Sequence, residues 1–452
     1  MKRGLACLVW LVPLAACNFA PPHVRPVAPI PQGFDHRPSS EPTDAPSAWQ
    51  SYFGDPRLRA YIAAALAHNR DLAQSIARVA QARARFGIEE SQRAPQIVAE
   101  VSVAEQDTVS IMAPALLGVR ITNFELDLWG RARNVSEAQR RNYLAEVEAM
   151  HAFRLSLIGQ VAGCYFRILE GEERIATAER ALGLRREALR LARRRLDVGV
   201  DAAAEYDRAV ILVAQAQVEL AELKHATAQA RNLLMVLVGG PSASALPNGL
   251  PLHDIAQLAP VEPGLPSEVL ARRPDIRRAE ERLRAANADI GAARAAFFPS
   301  ISLSAAGGFL SMTLRDLVSG EAAGYQISGS SLLPIFDGGR RRAQLRLTQA
   351  EASERVAAYQ FATQQAFREV ADALVGRRRY IEQIAAQADT VAAMRRLLQV
   401  ARKRMDNGVG TRLQVLNAER DLFEAEQKLI GLRSAELQNG AALYVALGGG
   451  YS

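Results

Sequence analysis

Two textures alternate along this chain, and each occurs twice. Apolar positions, mostly alanine and leucine, recur at helical spacing from Asp55 to about Gln92. Past Pro95 the period shortens to two. Ile97-Val-Ala-Glu-Val-Ser-Val-Ala, and then Gly118-Val-Arg-Ile-Thr-Asn-Phe-Glu-Leu-Asp-Leu, place apolar residues against small or polar ones. The same texture returns in Ile301-Ser-Leu-Ser-Ala-Ala-Gly and Tyr325-Gln-Ile-Ser-Gly-Ser-Ser-Leu-Leu, bracketed by Pro299 and Pro334. These spacings predict two strand pairs, at about 95–128 and 299–335. Proline inside a helix costs about 3 kcal/mol, and the chain has none between Pro114 and Pro241 and none after Pro334. Those gaps predict long helices over Arg131–Val198 and Arg340–Asn407, each reaching roughly 100 Å if continuous. Shorter helices follow at about 201–238 and 411–447. Asp197-Val-Gly-Val-Asp and Asp406-Asn-Gly-Val-Gly join them, with a glycine where the chain leaves the helix and reverses.

The recurrence has a fixed distance. Arg195-Leu-Asp-Val-Gly-Val and Arg404-Met-Asp-Asn-Gly-Val, Gly130 and Gly339, and Gly239 and Gly448 all stand 209 residues apart. A single long offset marks a duplicated half-molecule rather than a solenoid. The expected organisation is a first repeat over 49–240, a linker rich in glycine and proline over 241–266, and a second repeat over 267–452 that opens with a helix to about Ala296. Each repeat supplies one strand pair and one long helical hairpin.

The N-terminus adds a location. Lys2 and Arg3, an apolar run from Leu5 to Leu14, and Leu14-Ala-Ala-Cys17 have the layout of a secretory signal over residues 1–16. The run is too short to span a bilayer as a helix. A cysteine after Leu-Ala-Ala resembles a bacterial lipobox, which implies acylation of Cys17, and Asn18 in place of Asp favours the outer membrane. Residues 17–48 then form a proline-rich tether or a strap over the folded body. With Cys7 in the signal and Cys17 acylated, Cys164 stands alone, so no intramolecular disulfide is expected. Cys164, within Val161-Ala-Gly-Cys-Tyr-Phe, reads as a small buried apolar residue.

Charge and motif content exclude several functions. The formal charge of +7 falls by two without the signal, and the arginines are interspersed with Asp and Glu, which argues against a nucleic-acid surface. Six scattered histidines show no ligand spacing, and no phosphate-binding loop or nucleophile elbow occurs. No catalytic residue, metal or cofactor is expected.

Strands of this length suit a membrane β-barrel, and the same pattern also suits soluble hairpins capping a helical rod. Four strands cannot close a barrel, and an open edge in lipid leaves backbone groups unpaired at several kcal/mol each. If the strands span a membrane, copies must associate, and three copies would bring twelve strands.

At Trp49-Gln-Ser-Tyr-Phe-Gly-Asp-Pro-Arg-Leu and Ala65-Leu-Ala-His-Asn-Arg-Asp-Leu72 the chain resembles the opening of TolC-like outer-membrane efflux proteins. Leu265-Pro-Ser-Glu-Val-Leu-Ala-Arg-Arg-Pro-Asp-Ile-Arg277, continuing through Glu280, Asn287, Gly291 and Phe298-Pro-Ser-Ile-Ser-Leu303, resembles the second repeat of their lipoprotein (NodT) branch. Phe124-Glu-Leu-Asp-Leu-Trp-Gly-Arg131 and Pro334-Ile-Phe-Asp-Gly-Gly-Arg340 resemble that family's strand-to-helix junctions. The resemblance implies a mostly helical fold with membrane β-strands: a homotrimer with a twelve-stranded barrel in the outer membrane of a Gram-negative bacterium, above a periplasmic α-barrel. It also implies a passive conduit that works with a periplasmic adaptor and an inner-membrane transporter of the RND type. A periplasmic helical spacer without a pore is the competing reading, and two matched strand pairs speak against it.

The resemblance locates function at the hairpin turns. It implies that Leu196, Gly199, Val200, Met405, Gly408 and Val409 meet the adaptor. Beyond the second turn, Arg412-Leu-Gln-Val-Leu-Asn-Ala-Glu-Arg matches a segment that in the family often carries aspartates toward the periplasmic entrance. Here those positions are the neutral Gln414 and Asn417, while the first repeat keeps Glu205, Asp207 and Arg208. A solvated helix face accounts for the latter equally well.

Overall fold

The computed structural model describes residues 18–31, 48–103, 115–200, 202–240, 246–255, 273–311 and 323–449. The signal, Cys17 and residues 265–272 of the second-repeat motif lie outside them. The helices are α1 (Trp49–Tyr52), α2 (Pro56–His68), α3 (Arg70–Ser91), α4 (Arg131–Asp197), α5 (Ala203–Val238), α6 (Pro274–Ala295), α7 (Arg340–Asp406) and α8 (Arg412–Ala446). The strands are β1 (Ile97–Val103), β2 (Ala115–Glu125), β3 (Ser300–Ser311) and β4 (Ala323–Leu332).

The chain forms two compact units that do not coincide with the two repeats. One takes residues 1–29, 76–149 and 275–362, the other 30–75, 150–274 and 363–452. Both repeats therefore contribute to both units, as expected if like parts of the duplicated halves fold together.

The first unit holds an antiparallel sheet in the order β1-β2-β3-β4. Its register sorts the side chains. Ile97 pairs with Ile121, Val101 with Leu117, Leu117 with Phe309, and Ala305 with Ile327, so one face is apolar. The alternate positions are mostly polar or small: Ser302 opposite Ser330, Ser304 opposite Ser328, and Gly118 opposite Gly308. Glu100 and Arg120 form an ion pair of 2.7 Å on that second face. The described residues leave the apolar face uncovered, with Ile97, Val101 and Ile327 each about two-thirds exposed or more. A bulge interrupts the β2–β3 ladder between Ile121 and Phe124. There Asn123 takes φ 50°, and its N–H donates to Ser304 Oγ at 2.9 Å. Asn tolerates this left-handed backbone better than other residues with a side chain.

Residues 19–27 lie as a strap in the same unit. Arg294 donates to Phe19 O at 3.0 Å, and Gln360 Nε2 to Val27 O at 3.0 Å. Buried Glu280 receives Arg25 at 2.8 Å, His23 at 3.1 Å and Arg284 at 2.7 Å. Burial pulls the Glu280 carboxyl upward, but the hydrogen bonds from Arg25 and His23 and the charges of Arg25 and Arg284 outweigh it and keep the group below its usual range. On α6, burial reinforced by the Glu351 carboxylate pushes Asp289 up to about 6. A folded-state value above the unfolded one means that stability is lost as pH rises from about 4 through 6. Asp289→Asn is thus expected to stabilise the protein at pH 7.5, by roughly 1–2 kcal/mol after solvent screening, and to change nothing below about pH 4. Urea titrations at both pH values check this; an equal effect at both would sink it.

The second unit is helical. Glu172–Arg231 and Glu179–Lys224, both 2.7 Å, join α4 to α5 in antiparallel order. Arg395–Glu426 at 2.6 Å and Arg402–Glu419 at 2.7 Å do the same for α7 and α8. Between the pairs, Gln427 donates to Arg174 O at 3.2 Å and Ser434 to Phe166 O at 3.4 Å, so α8 also packs on α4. The resulting order is α5, α4, α8, α7. Small residues set the close approaches: a Cβ on Gly171 would collide with the Thr227 side chain, and one on Gly376 with Asn439.

The core of this unit gathers Phe53, Leu58, Ile62, Val161, Phe166, Val370, Leu443 and Tyr444. The predicted helix over 55–92 is divided at Asn69. Its backbone there is extended, and its Oδ1 accepts from Leu72 N at 2.8 Å while its Nδ2 donates to Leu237 O at 2.9 Å. A buried Asn side chain that caps the next helix competes successfully with helix continuation. Arg273, the second arginine of the Arg-Arg-Pro-Asp motif, is buried and donates to Ala446 O at 2.8 Å and Glu369 Oε2 at 2.7 Å. It satisfies a carbonyl at the end of α8 that helix geometry leaves unpaired.

Candidate functional sites at the hairpin turns and strand junctions

The two hairpin turns share one backbone design. Val200 N donates to Arg195 O at 2.8 Å and Gly199 N to Leu196 O at 2.9 Å, with Gly199 at φ 74°. In the second turn Val409 N reaches Arg404 O at 3.0 Å and Gly408 N reaches Met405 O at 3.0 Å, with Gly408 at φ 75°. This six-to-one closure around a left-handed glycine ends a helix without orphaned carbonyls. Gly199 and Gly408 are exposed, Leu196 and Met405 half-buried. Val200 is 64% and Val409 67% exposed, and two further apolar neighbours that no sequence motif marks, Val198 and Leu413, are similarly bare. Each turn thus presents an apolar tip that the described residues of its own chain leave bare.

The helices leaving the turns start differently. Thr411 caps α8 in a reciprocal box: its hydroxyl accepts from Gln414 N, and Gln414 Oε1 accepts from Thr411 N at 3.3 Å. Gln414 is therefore engaged by the helix start, whereas Asn417 is exposed. At α5 the N-cap is Ala202, with no side chain to offer. Glu205 there pairs with Arg208 at 2.8 Å, and Asp207 is exposed. No hydrogen bond or ion pair among the described residues joins Glu205, Asp207 or Arg208 to Gln414 or Asn417. Arg193 bonds Asp197 at 3.1 Å and lies 5.4 Å from the Tyr206 ring centroid; Tyr206 and then Asp197 push its guanidinium further up.

At the strand junctions an aspartate begins each long helix. Asp127 accepts from Ala132 N at 3.0 Å and Arg133 N at 2.7 Å. Asp337 accepts from Gly339 N at 3.0 Å and Arg341 N at 3.2 Å, and Arg341 chiefly holds its carboxyl below the ordinary range. Trp129 donates to Pro299 O at 2.8 Å and stacks on Phe298 at 4.8 Å, and Phe298 stacks on Phe19 at 4.8 Å. This three-ring stack stands where β3 meets α6.

Among the described residues no cluster of His, Cys, Asp and Glu is arranged to hold a metal, and no helix is long and apolar enough to cross a membrane. Cys164 is buried, and its Sγ lies 3.1 Å from Ala230 O.

Solved structures that share this architecture include outer membrane channels. The family described as outer membrane efflux protein matches residues 61–240 and 265–449. The toluene efflux pump outer membrane protein TtgC of Pseudomonas putida is 36% identical over 467 residues, covering 100% of this chain and 96% of TtgC. The cation efflux system protein CusC of Escherichia coli is 34% identical over 446 residues, covering 97% of each chain. The open state of the MtrE outer membrane channel of Neisseria gonorrhoeae superposes with a TM-score of 0.87 at 34% identity, covering 96% of this chain and 98% of that one.

Proposed function

This chain belongs to the outer membrane efflux protein family, and from that premise we propose that it is the lipid-anchored outer-membrane duct of a tripartite exporter. It acts as a homotrimer that receives cargo from an RND-type inner-membrane pump through a periplasmic adaptor. It is a conduit, not an enzyme.

The sheet carries this reading. It has two open edges, β1 and β4, and an uncovered apolar face backed by a largely polar one. In water such a surface invites aggregation; in a bilayer it is the alternation of a barrel wall, apolar toward lipid and polar toward a lumen. Joining β4 of one copy to β1 of the next satisfies both edges, and three copies make twelve strands, an even number within the known range.

The helical unit supports the same closure. Its outer helices α5 and α7 keep exposed apolar residues, including Val218 and Val236 on α5 and Leu397 and Val400 on α7. Packing α7 of one copy against α5 of the next would repeat between copies the α4–α8 contact found within one. The bare turns at Gly199 and Gly408 then become six tips for the adaptor, contacted through Leu196, Val200, Met405 and Val409. The α5 and α8 starts, with Glu205, Asp207, Arg208, Gln414 and Asn417, line the periplasmic entrance. Acylation of Cys17 tethers the assembly to the outer membrane. TtgC and CusC are named for toluene and for cations at similar identity to this chain, which fits a duct whose cargo is chosen by its pump.

The test is direct. The mature protein purified in detergent should have the mass of three copies and give stepwise conductance in planar bilayers. A monomer that stays soluble without detergent and conducts nothing would overturn the proposal. Cys17→Ala should remove the acyl group and leave the trimer.

A further inference from the structure

The two hairpin turns are alike in backbone and unlike in charge. Each long helix ends in three consecutive cations, Arg193-Arg194-Arg195 and Arg402-Lys403-Arg404. One or two of these complement the negative end of a helix dipole. In the first hairpin the chain also supplies the neutralising carboxylates. Residues 193–210 contain four arginines against Asp197, Asp201, Glu205 and Asp207, a formal charge of zero. These include the pairs Arg193–Asp197 at 3.1 Å and Arg208–Glu205 at 2.8 Å.

The second hairpin lacks that supply. Gly410, Gln414 and Leu416 stand at the offset positions of Asp201, Glu205 and Asp207. Residues 402–419 therefore hold four cations against Asp406 and Glu419 alone. Glu419 is taken by Arg402 at 2.7 Å, and Arg412 spends a donor on a backbone carbonyl, Ala188 O, at 3.2 Å. Lys403 and Arg404 are exposed and make no ion pair among the described residues. Beside them Val409 is 67% and Leu413 57% exposed, on a helix start fixed by the Thr411–Gln414 capping box. A rigid apolar knob flanked by unneutralised cations results.

We propose that the second hairpin turn is the charge-selective docking point, and that its partner is a helical hairpin whose apolar tip is flanked by carboxylates. This rests on the adaptor reading of the turns and deepens it. Apolar contact is available at both turns, so it cannot tell them apart; the excess positive charge at one can. Complementary charge sets register and suppresses wrong pairings more than it adds affinity. In a trimer the six tips thereby become two classes of three, and an acidic partner enters in one register.

The test uses the full-length protein in detergent and two designed helical-hairpin peptides with identical apolar tips, one flanked by Glu and one by Lys. Binding of the Glu hairpin should be tighter by roughly tenfold at 50 mM NaCl, and the preference should collapse at 500 mM as charges are screened. Lys403→Glu with Arg404→Glu should invert it, while Arg194→Glu should leave it. All three positions are exposed, and trimer mass verifies each variant. Equal binding of both peptides, abolished by Val409→Asp, would overturn charge selection and leave the docking reading standing. Binding of neither peptide would overturn both. Displacement of the Glu hairpin by phosphatidylglycerol vesicles but not by neutral ones would also overturn it, reassigning the cations to a lipid surface.

Discussion

Replacing Asp55 by alanine is expected to lower the free energy of unfolding by about 3–5 kcal/mol, as much as truncating a fully buried aromatic of the same core. Asp55 is 1% exposed, and its carboxylate accepts three bonds: from Leu58 N at 2.9 Å, Leu250 N at 2.8 Å and the Tyr165 hydroxyl at 3.1 Å. The first is the N-cap of α2, with Pro56 preset at the first helical position. The second holds the segment after α5 against the helix start. The third ties α4 to both. Burial, with Asp55 beside it, pushes the Tyr165 hydroxyl well above its ordinary value, so it stays a donor throughout the working pH range. Alanine would leave an N–H and a hydroxyl without partners, at about 1–3 kcal/mol each, and remove the cap. Tyr165→Phe removes only one donor and should cost about 1 kcal/mol. Urea midpoints followed by helical circular dichroism separate the two; indistinguishable midpoints would refute this account.

The second large effect belongs to the sheet. Gly118 on β2 faces Gly308 on β3, and their backbones approach so closely that a Cβ on Gly308 would fall on Leu117 O and Gly118 Cα. Gly308→Val should part the central strands by an ångström or more and break the β2–β3 ladder. Because those strands unite the two repeats in one sheet, no trimer is expected to assemble, read as loss of the trimer band on native electrophoresis and of all conductance. Gly324→Val is the matched control: a Cβ there meets nothing within 4 Å, so the trimer should survive. Survival of Gly308→Val as a conducting trimer would show that the close approach carries no weight in assembly.

Much of this architecture is legible in the sequence because its devices are local. A proline-free stretch permits a helix of 67 residues, and α4 and α7 have that length. Period-two texture between prolines announces strands, and Asp-x-Gly-Val announces a glycine-closed turn. What was not legible depends on a distant partner. Asn69 is an ordinary helix residue until Leu237 O accepts from it, and the break follows from that contact. Gln414, an entrance residue by resemblance, is held by Thr411 three positions away, in a capping box whose Thr-x-x-Gln spacing the sequence itself displays. The proline-rich segment reads equally as a tether or as a strap, and nothing in its own residues reveals that Glu280 and Phe298 receive it. Val198 and Leu413 carry no sequence signal of their own, since an apolar residue near a turn is ordinarily buried, and here both are bare.

The stacked rings of Phe19, Phe298 and Trp129 bear on how deep the molecule rides in its membrane. Only Asn18 stands between Cys17 and Phe19, two steps along the chain, so an acyl group proposed on that cysteine begins no more than about 7 Å of chain from the stack. Aromatic girdles sit where hydrocarbon gives way to headgroups. Lipid chains and ring stack would then mark one and the same level, a short mooring fastened at the waterline. Cut, it should leave the duct whole but free to bob and tilt, with its apolar wall no longer held level with the hydrocarbon around it.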